Sequence, residues 1–264
     1  MKTTKRQLFA LAASLAVLTL AAPAYAQSAL ETIERNKLIR IAIPTDFPPY
    51  GFVGVTLQPQ GLDIDMANLI GEKMGVKVEL VPVTSANRIP YLQSRRADLV
   101  ISTLGKNPER EKVIDFSAAY SPFFQGIFAP KSVNLASFQD LAGKTIGVTR
   151  GAIEDQELTK VAPPGTEIRR FEDNNATVSA YVSRQTQLIA TGVSVAENMM
   201  QRNPQLGTEF KLLLKDSPNF IGVAKGEDAL RTRVNEIIAQ AKAAGDLDRM
   251  AQKWLKRPAG DLPQ

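Results

Sequence analysis

Cysteine and histidine are both absent from the 264-residue chain, and a single tryptophan is present. The two absences exclude a Ser-His-Asp triad, a thiol nucleophile, a Cys/His zinc site, an iron–sulfur cluster and any disulfide. Chemistry falls to carboxylates, lysine, arginine, tyrosine and hydroxyls. No ligand set for a metal or cofactor is visible, and none is expected. What is present, 44% hydrophobic and 22% charged residues, suits one large or two modest globular domains.

The formal net charge of +5 is partly carried by a removable segment. Met1–Ala26 opens with Lys2, Lys5 and Arg6, runs apolar from Leu8 to Ala22 and ends in Ala24-Tyr25-Ala26, the small-x-small pattern cut by signal peptidase. Its apolar stretch is short for a bilayer span, and no other segment is long and apolar enough. Cleavage after Ala26 leaves a mature chain of 238 residues with a net charge of +2. So small and scattered a charge gives no nucleic-acid footprint. Without a cysteine after the cleavage site, a lipid anchor there is excluded. The expected product is exported and soluble.

Beyond residue 27 the pattern alternates strand and helix. Leu38–Ile43 reads as an apolar strand running into Thr45–Tyr50, where Pro48 and Pro49 argue against regular structure. A helix over Leu62–Gly75, a half-buried strand over Val76–Val81, a short helix over Asn87–Arg95 and a buried strand over Leu99–Ile101 complete a βαβαβ order. The grammar then restarts. Strands are expected at Lys144–Val148, Glu167–Phe171 and Gln187–Ala190, with helices from about Ile153, over Ala176–Ser183 and over Val193–Gln201. A strand at Phe220–Ala224, an amphipathic helix over Glu227–Ala243 and a last helix carrying Leu247, Met250 and Trp254 follow, with Trp254 expected to pack on a core. In open α/β sheets the ligand crevice lies beyond the carboxyl ends of the strands. The positions to read are therefore Thr45–Phe52, Thr84–Arg88, Ser102–Arg110 and Thr149–Ile153.

Three stretches together resemble the periplasmic solute-binding proteins for polar amino acids that serve ABC importers. They are Gly61-Leu-Asp-Ile-Asp-Met-Ala67, then Asn87-Arg-Ile-Pro-Tyr-Leu-Gln-Ser94 with Asp98-Leu-Val-Ile101, then Asn107-Pro-Glu-Arg110 followed by Val113-Ile-Asp-Phe-Ser117 and Tyr120. With Gly143–Val148 and the C-terminal helix pair, the resemblance spans nearly the whole mature chain. It implies a two-lobed α/β fold, each lobe a mainly parallel sheet flanked by helices, joined by two hinge strands near Pro122–Gln125 and Lys215–Ile221. Residues 27–122 and 219–264 would form the first lobe and 123–218 the second. It also implies a monomer in the periplasm that closes on a small carboxylate or amino-acid ligand and hands it to a membrane permease.

By the same resemblance, Arg110 holds the ligand carboxylate, a task suited to a planar two-pronged donor. The alternative is an ion pair with Glu109 or Glu111. Ser102 and Thr103 add hydroxyl and backbone donors, Gly105 contributes backbone only, and Phe47 either packs on the ligand or anchors its loop. The run Thr84-Ser-Ala-Asn-Arg-Ile-Pro90 is similar to that of glutamate/aspartate-binding members, where Ser85 and Arg88 meet a distal carboxylate; a surface ion pair is the plain reading of Arg88. A further arginine of those members has no counterpart, since Pro44 stands there. In the second lobe Gly151 and Ala152 offer the N-terminus of a helix to an anion, without the usual hydroxyls. Thr191 stands where an aspartate normally pairs with the ligand ammonium. Either Asp173 supplies that charge, or it caps the next helix and the ligand is an organic acid without an ammonium. Two further functions stay open: a dehydratase-like enzyme on the same scaffold, for which Asp173 and Glu154 are the second-lobe acids to consider, and a sensor input protein.

Overall fold

The computed structural model describes residues 28–263, so the leader and the cleavage after Ala26 lie outside the described residues. The chain enters through α1 (Ala29–Asn36), capped by the Ser28 hydroxyl, and β1 (Leu38–Ile43). Three short strands follow, β2 (Asp46–Phe47), β3 (Gly51–Val53) and β4 (Pro59–Gln60), and pair antiparallel as a separate small sheet. This corrects the expectation of irregular chain at Thr45–Tyr50: Asp46 and Phe47 pair with Phe52 and Gly51 before the prolines end the ladder. Next come α2 (Leu62–Met74), β5 (Lys77–Pro82), α3 (Arg88–Gln93), β6 (Leu99–Gly105), the one-turn α4 (Pro108–Glu111) and β7 (Ile114–Ser121).

The chain then builds a second sheet from β8 (Phe124–Pro130), β9 (Thr145–Thr149), β10 (Glu167–Phe171), β11 (Leu188–Gly192) and β12 (Thr208–Asp216). Its helices are α5 (Ile153–Val161), α6 (Asn174–Val182) and α7 (Val193–Arg202). It returns through β13 (Asn219–Ala224), α8 (Asp228–Ala243) and α9 (Asp246–Leu255). The sheet orders are β5-β1-β6-β13-β7 and β10-β9-β11-β8-β12. In each, three neighbouring strands run parallel and the next runs against them. The repeated grammar of the sequence is thus a repeated architecture of two lobes.

Central strands covered on both faces by helices read as continuous apolar runs. All seven residues of β6 and all six of β13 are buried, and α8 buries Leu230, Val234, Ile237, Ile238 and Ala241 against the first sheet. The second lobe has a core on each face of its sheet, one around Ile127, Ile146, Leu158 and Leu188, the other around Phe128, Tyr181, Ile189 and Met199. Trp254 packs edge-on against Phe52 and donates its indole N–H to Asp65 at 2.7 Å. Among the described residues, two connections join the two five-stranded sheets, β7 to β8 and β12 to β13. They lie side by side, with Ser217 N donating to Phe123 O at 3.1 Å.

β6 runs four residues past the expected end at Ile101, through Ser102, Thr103 and Gly105. These positions are therefore inside a strand, where Asn219 and Phe220 of β13 pair with Gly105 and Leu104 before a register shift between Phe220 and Gly222. Thr103 takes a left-handed φ of 44° at this irregularity.

Candidate ligand-binding cleft

Segments that follow β1, β5 and β6 in the first lobe meet segments that follow β9 and β10 in the second. Arg88 and Arg110, from the starts of α3 and α4, are both 3% exposed. Arg88 donates from Nε to the Ser85 carbonyl at 3.0 Å and from Nη1 to those of Ser102 and Thr103 at 2.7 and 3.1 Å. Arg110 donates from Nη1 to the Gly105 carbonyl at 2.7 Å. Both then reach across the cleft. Their Nη2 atoms donate to one second-lobe acceptor, the carbonyl of Gly151, at 3.3 and 3.0 Å.

The two cations make no ion pair with Glu109, Glu111 or any other carboxylate among the described residues. Burial pushes the pKa of Arg110 down to about 9, and the neighbouring Arg88 charge adds to the effect. Burial also lowers that of Arg88, against the pull of Glu154, Asp46 and Asp63. Arg88 is engaged mainly in holding the end of β6 and the Ser85 turn. Arg110 uses one N–H on each Nη, leaving Nε and two further N–H groups of its five donors for another acceptor.

Asp63, the first acid of the Gly61–Ala67 motif, is wholly buried at the head of α2. It accepts from Thr103 N at 2.8 Å and from the Tyr120 hydroxyl at 2.6 Å, which fixes the left-handed turn of β6. Burial pushes its pKa up to about 7, although both hydrogen bonds favour the ionised form. Asp46 crosses the cleft in the opposite sense. Its Oδ2 accepts from the backbone N–H of Asn174 at 2.7 Å and from its side-chain amide at 3.1 Å, at the positive end of α6. Burial raises the Asp46 pKa.

Second-lobe groups meet the first directly. Gly151 has φ +73°, and a side chain there would start 2.9 Å from Ala86 Cα. Ala152 is buried and precedes α5; Ile153 packs against Gly105. Asn107 donates to Gln156 at 2.6 Å, and Arg257 to the Ser194 hydroxyl at 2.9 Å. Phe47 is buried with Tyr50 and Phe123, each ring 6.0 Å away, and so anchors its loop beside the hinge. Thr191 is buried at the end of β11, paired with Gly126. Ser85 is half-buried, and its carbonyl, not its hydroxyl, meets Arg88. Asp173 caps α6, accepting from Ala176 N at 2.8 Å; the helix starts two residues earlier than the pattern suggested because Asn174 and Asn175 also join it.

The chain that carries this cleft matches known proteins over most of its length. Residues 39–257 match the profile of the bacterial extracellular solute-binding proteins, family 3. The chain belongs to this family. Among its relatives is the ABC transporter glutamine-binding protein GlnH of Bacillus subtilis (strain 168), 28% identical over 86% of this chain and 84% of that one. An ancestral arginine-binding protein solved with arginine is 32% identical, with a TM-score of 0.78 over 83% of this chain and 98% of its own. An ancestral amino acid-binding protein described as a precursor of cyclohexadienyl dehydratase is 31% identical, with a TM-score of 0.77 over 86% and 99%. These neighbours share the two-lobed α/β fold.

For this family-3 protein, sequence reasoning placed Arg88, Arg110, Ser102, Thr103, Gly105 and Gly151 together, and the structure brings all six to the cleft. It missed Asp46 and the supporting role of Asp63, and weighed Glu154 only as a catalytic acid. Asp46 precedes the aromatic Phe47 in a loop after a strand end, which was the available signal.

Proposed function

We propose that this protein is a periplasmic receptor that captures a small α-amino acid by its carboxylate and delivers it, as a monomer released by cleavage after Ala26, to an ABC-transporter permease. Arg110 carries the reading. It is a buried guanidinium with no carboxylate partner and with unused N–H donors, at a junction where residues of both lobes converge. Burying a charge without a counter-ion is costly, and an anionic group held by Arg110 offsets that cost. Ser102 and Thr103 sit at the neighbouring strand end, and Ala152 and Ile153 present the N-terminus of α5 from the other side. The names of the relatives, glutamine-binding and arginine-binding, agree on the α-amino-acid moiety and differ in the side chain.

The test is calorimetric titration of the stripped, refolded mature protein with the twenty L-amino acids, followed by Arg110→Ala with whichever binds. Removing one member of a buried hydrogen-bonded charge pair costs about 2–5 kcal/mol, which is about 30-fold or more in affinity. Wild-type affinity in Arg110→Ala refutes the assignment. A receptor returns its ligand unchanged. Turnover of a cyclic dienyl acid would instead support the dehydratase reading, which one observation favours: Glu154 is a buried acid whose pKa burial raises, near both arginines.

A further inference from the structure

Glu154, the second residue of α5, is 4% exposed and faces the junction between the lobes. Its Oε1 has no hydrogen-bond partner, and it is the one carboxylate oxygen among the described residues that is buried in that state. The two other acids near the arginines are engaged. Asp63 is held by Thr103 N and the Tyr120 hydroxyl, and Asp46 by the amide groups of Asn174. Asp155, beside Glu154, accepts from Gly151 N at 3.1 Å and pairs with Arg170 at 2.7 Å. Asp173 caps α6. Glu154 lies near enough to Arg88 and Arg110 to feel both charges, yet bonds to neither.

The carboxylate's one hydrogen bond is from its own backbone N–H, and leaving its other oxygen buried without a donor is costly. A family-3 protein with Thr191 at the end of β11 has no acid there to meet an ammonium. The two facts answer each other. Resting on the receptor reading above, we propose that Glu154 is the specificity-determining residue that accepts the ligand ammonium, so that the cleft selects zwitterionic α-amino acids over carboxylic acids lacking the amine and over dianions. The charge pattern supports the second half. Arg88 already feels the carboxylates of Glu154, Asp46 and Asp63, and Arg110 those of Glu154 and Glu157. A zwitterion adds one charge of each sign, whereas a dicarboxylate adds negative charge beside these acids.

The experiment titrates the mature protein with the amino acid that binds and with its des-amino carboxylic acid: 4-carbamoylbutanoic acid for glutamine, 5-guanidinopentanoic acid for arginine, and the corresponding acid for any other. Wild type should prefer the amino acid by at least tenfold. Glu154→Gln, which keeps the side-chain shape, should weaken the amino acid at least tenfold and change the des-amino acid less than twofold. Thr191→Asp placed in the Glu154→Gln background returns a carboxylate to the cleft and should recover part of the loss. Equal effects of Glu154→Gln on both ligands, or none on either, overturn the assignment, as does a wild type that binds the des-amino acid as well as the amino acid. A wild type that binds no amino acid at all refutes the receptor reading itself, a result seen before any variant is made.

Discussion

The backbone of Gly151 lies against Ala86 where the two lobes meet, and the consequence is measurable. Gly151 occupies φ +73°, and an ideal Cβ there lies 2.9 Å from Ala86 Cα, 3.2 Å from its nitrogen and 3.3 Å from its Cβ. Ordinary contact begins near 3.4 Å, so Gly151→Ala pushes backbone against backbone rather than displacing a flexible side chain. Two effects follow. The left-handed conformation alone costs an alanine roughly 1–2 kcal/mol, whether the lobes are open or closed. The collision arises only on closure, and it displaces the Gly151 carbonyl that receives both guanidiniums. A hydrogen bond to a charged group contributes about 1.5–3 kcal/mol, so disturbing one lowers ligand affinity by about 10- to 100-fold.

Gly143 separates the two effects. It has φ +72° in the same lobe, with nothing within 4 Å of its added Cβ. Gly143→Ala should therefore lower the melting temperature of the ligand-free protein and leave the dissociation constant unchanged. Gly151→Ala should lower affinity in calorimetric titration well beyond that control. A Gly151→Ala protein that binds ligand within twofold of wild type refutes the reasoning, because closure would then not require contact between Gly151 and Ala86.

Other consequences can be checked separately. Thr191→Asp in the wild-type background adds a carboxylate at the buried end of β11 and should weaken dicarboxylate ligands further, measured by competition titration; tighter dicarboxylate binding contradicts the charge pattern drawn here. Asp63 has its folded-state pKa raised to about 7, above its unfolded value. Its contribution to stability is therefore full below the unfolded pKa and is lost as pH rises from about 4 to 7. Chemical denaturation across that range should show a downward slope on raising pH that is absent in Asp63→Asn, and an identical slope in the variant assigns the titration elsewhere. Asp46→Ala removes the acceptor for the Asn174 amide groups across the cleft and should lower ligand affinity by about tenfold, since charged hydrogen bonds contribute about 1.5–3 kcal/mol each. Unchanged affinity would mean that this bond forms no part of the liganded state.

The parts of this protein legible in its sequence are those encoded locally. Parallel strands followed by helices leave their carboxyl ends at one edge, and that rule alone selected the segments holding Arg88, Arg110 and Gly151. Periodicity gave α2 and α8 nearly to the residue, because each buries a continuous face within one stretch of chain. What escaped is non-local. β6 seemed to stop at Ile101 because Ser102 and Thr103 are polar. They remain in the strand because Asp63 and Arg88, 40 and 14 residues away in sequence, satisfy their backbone groups, and because β13 arrives from the far end of the chain. Asp46 and Asn174 stand 128 residues apart and meet only when the lobes do. Glu154 was visible as a helix N-terminal acid, a position where a carboxylate is ordinarily explained by the helix dipole. Its significance depends on a buried Oε1 without a hydrogen-bond partner beside two arginines, which is a property of the assembled cleft. The motif residues hold the ligand-facing frame in place. The contacts of Asp46 and of Glu154 lie where one lobe meets the other, and there the fold has to be known before the chemistry can be read.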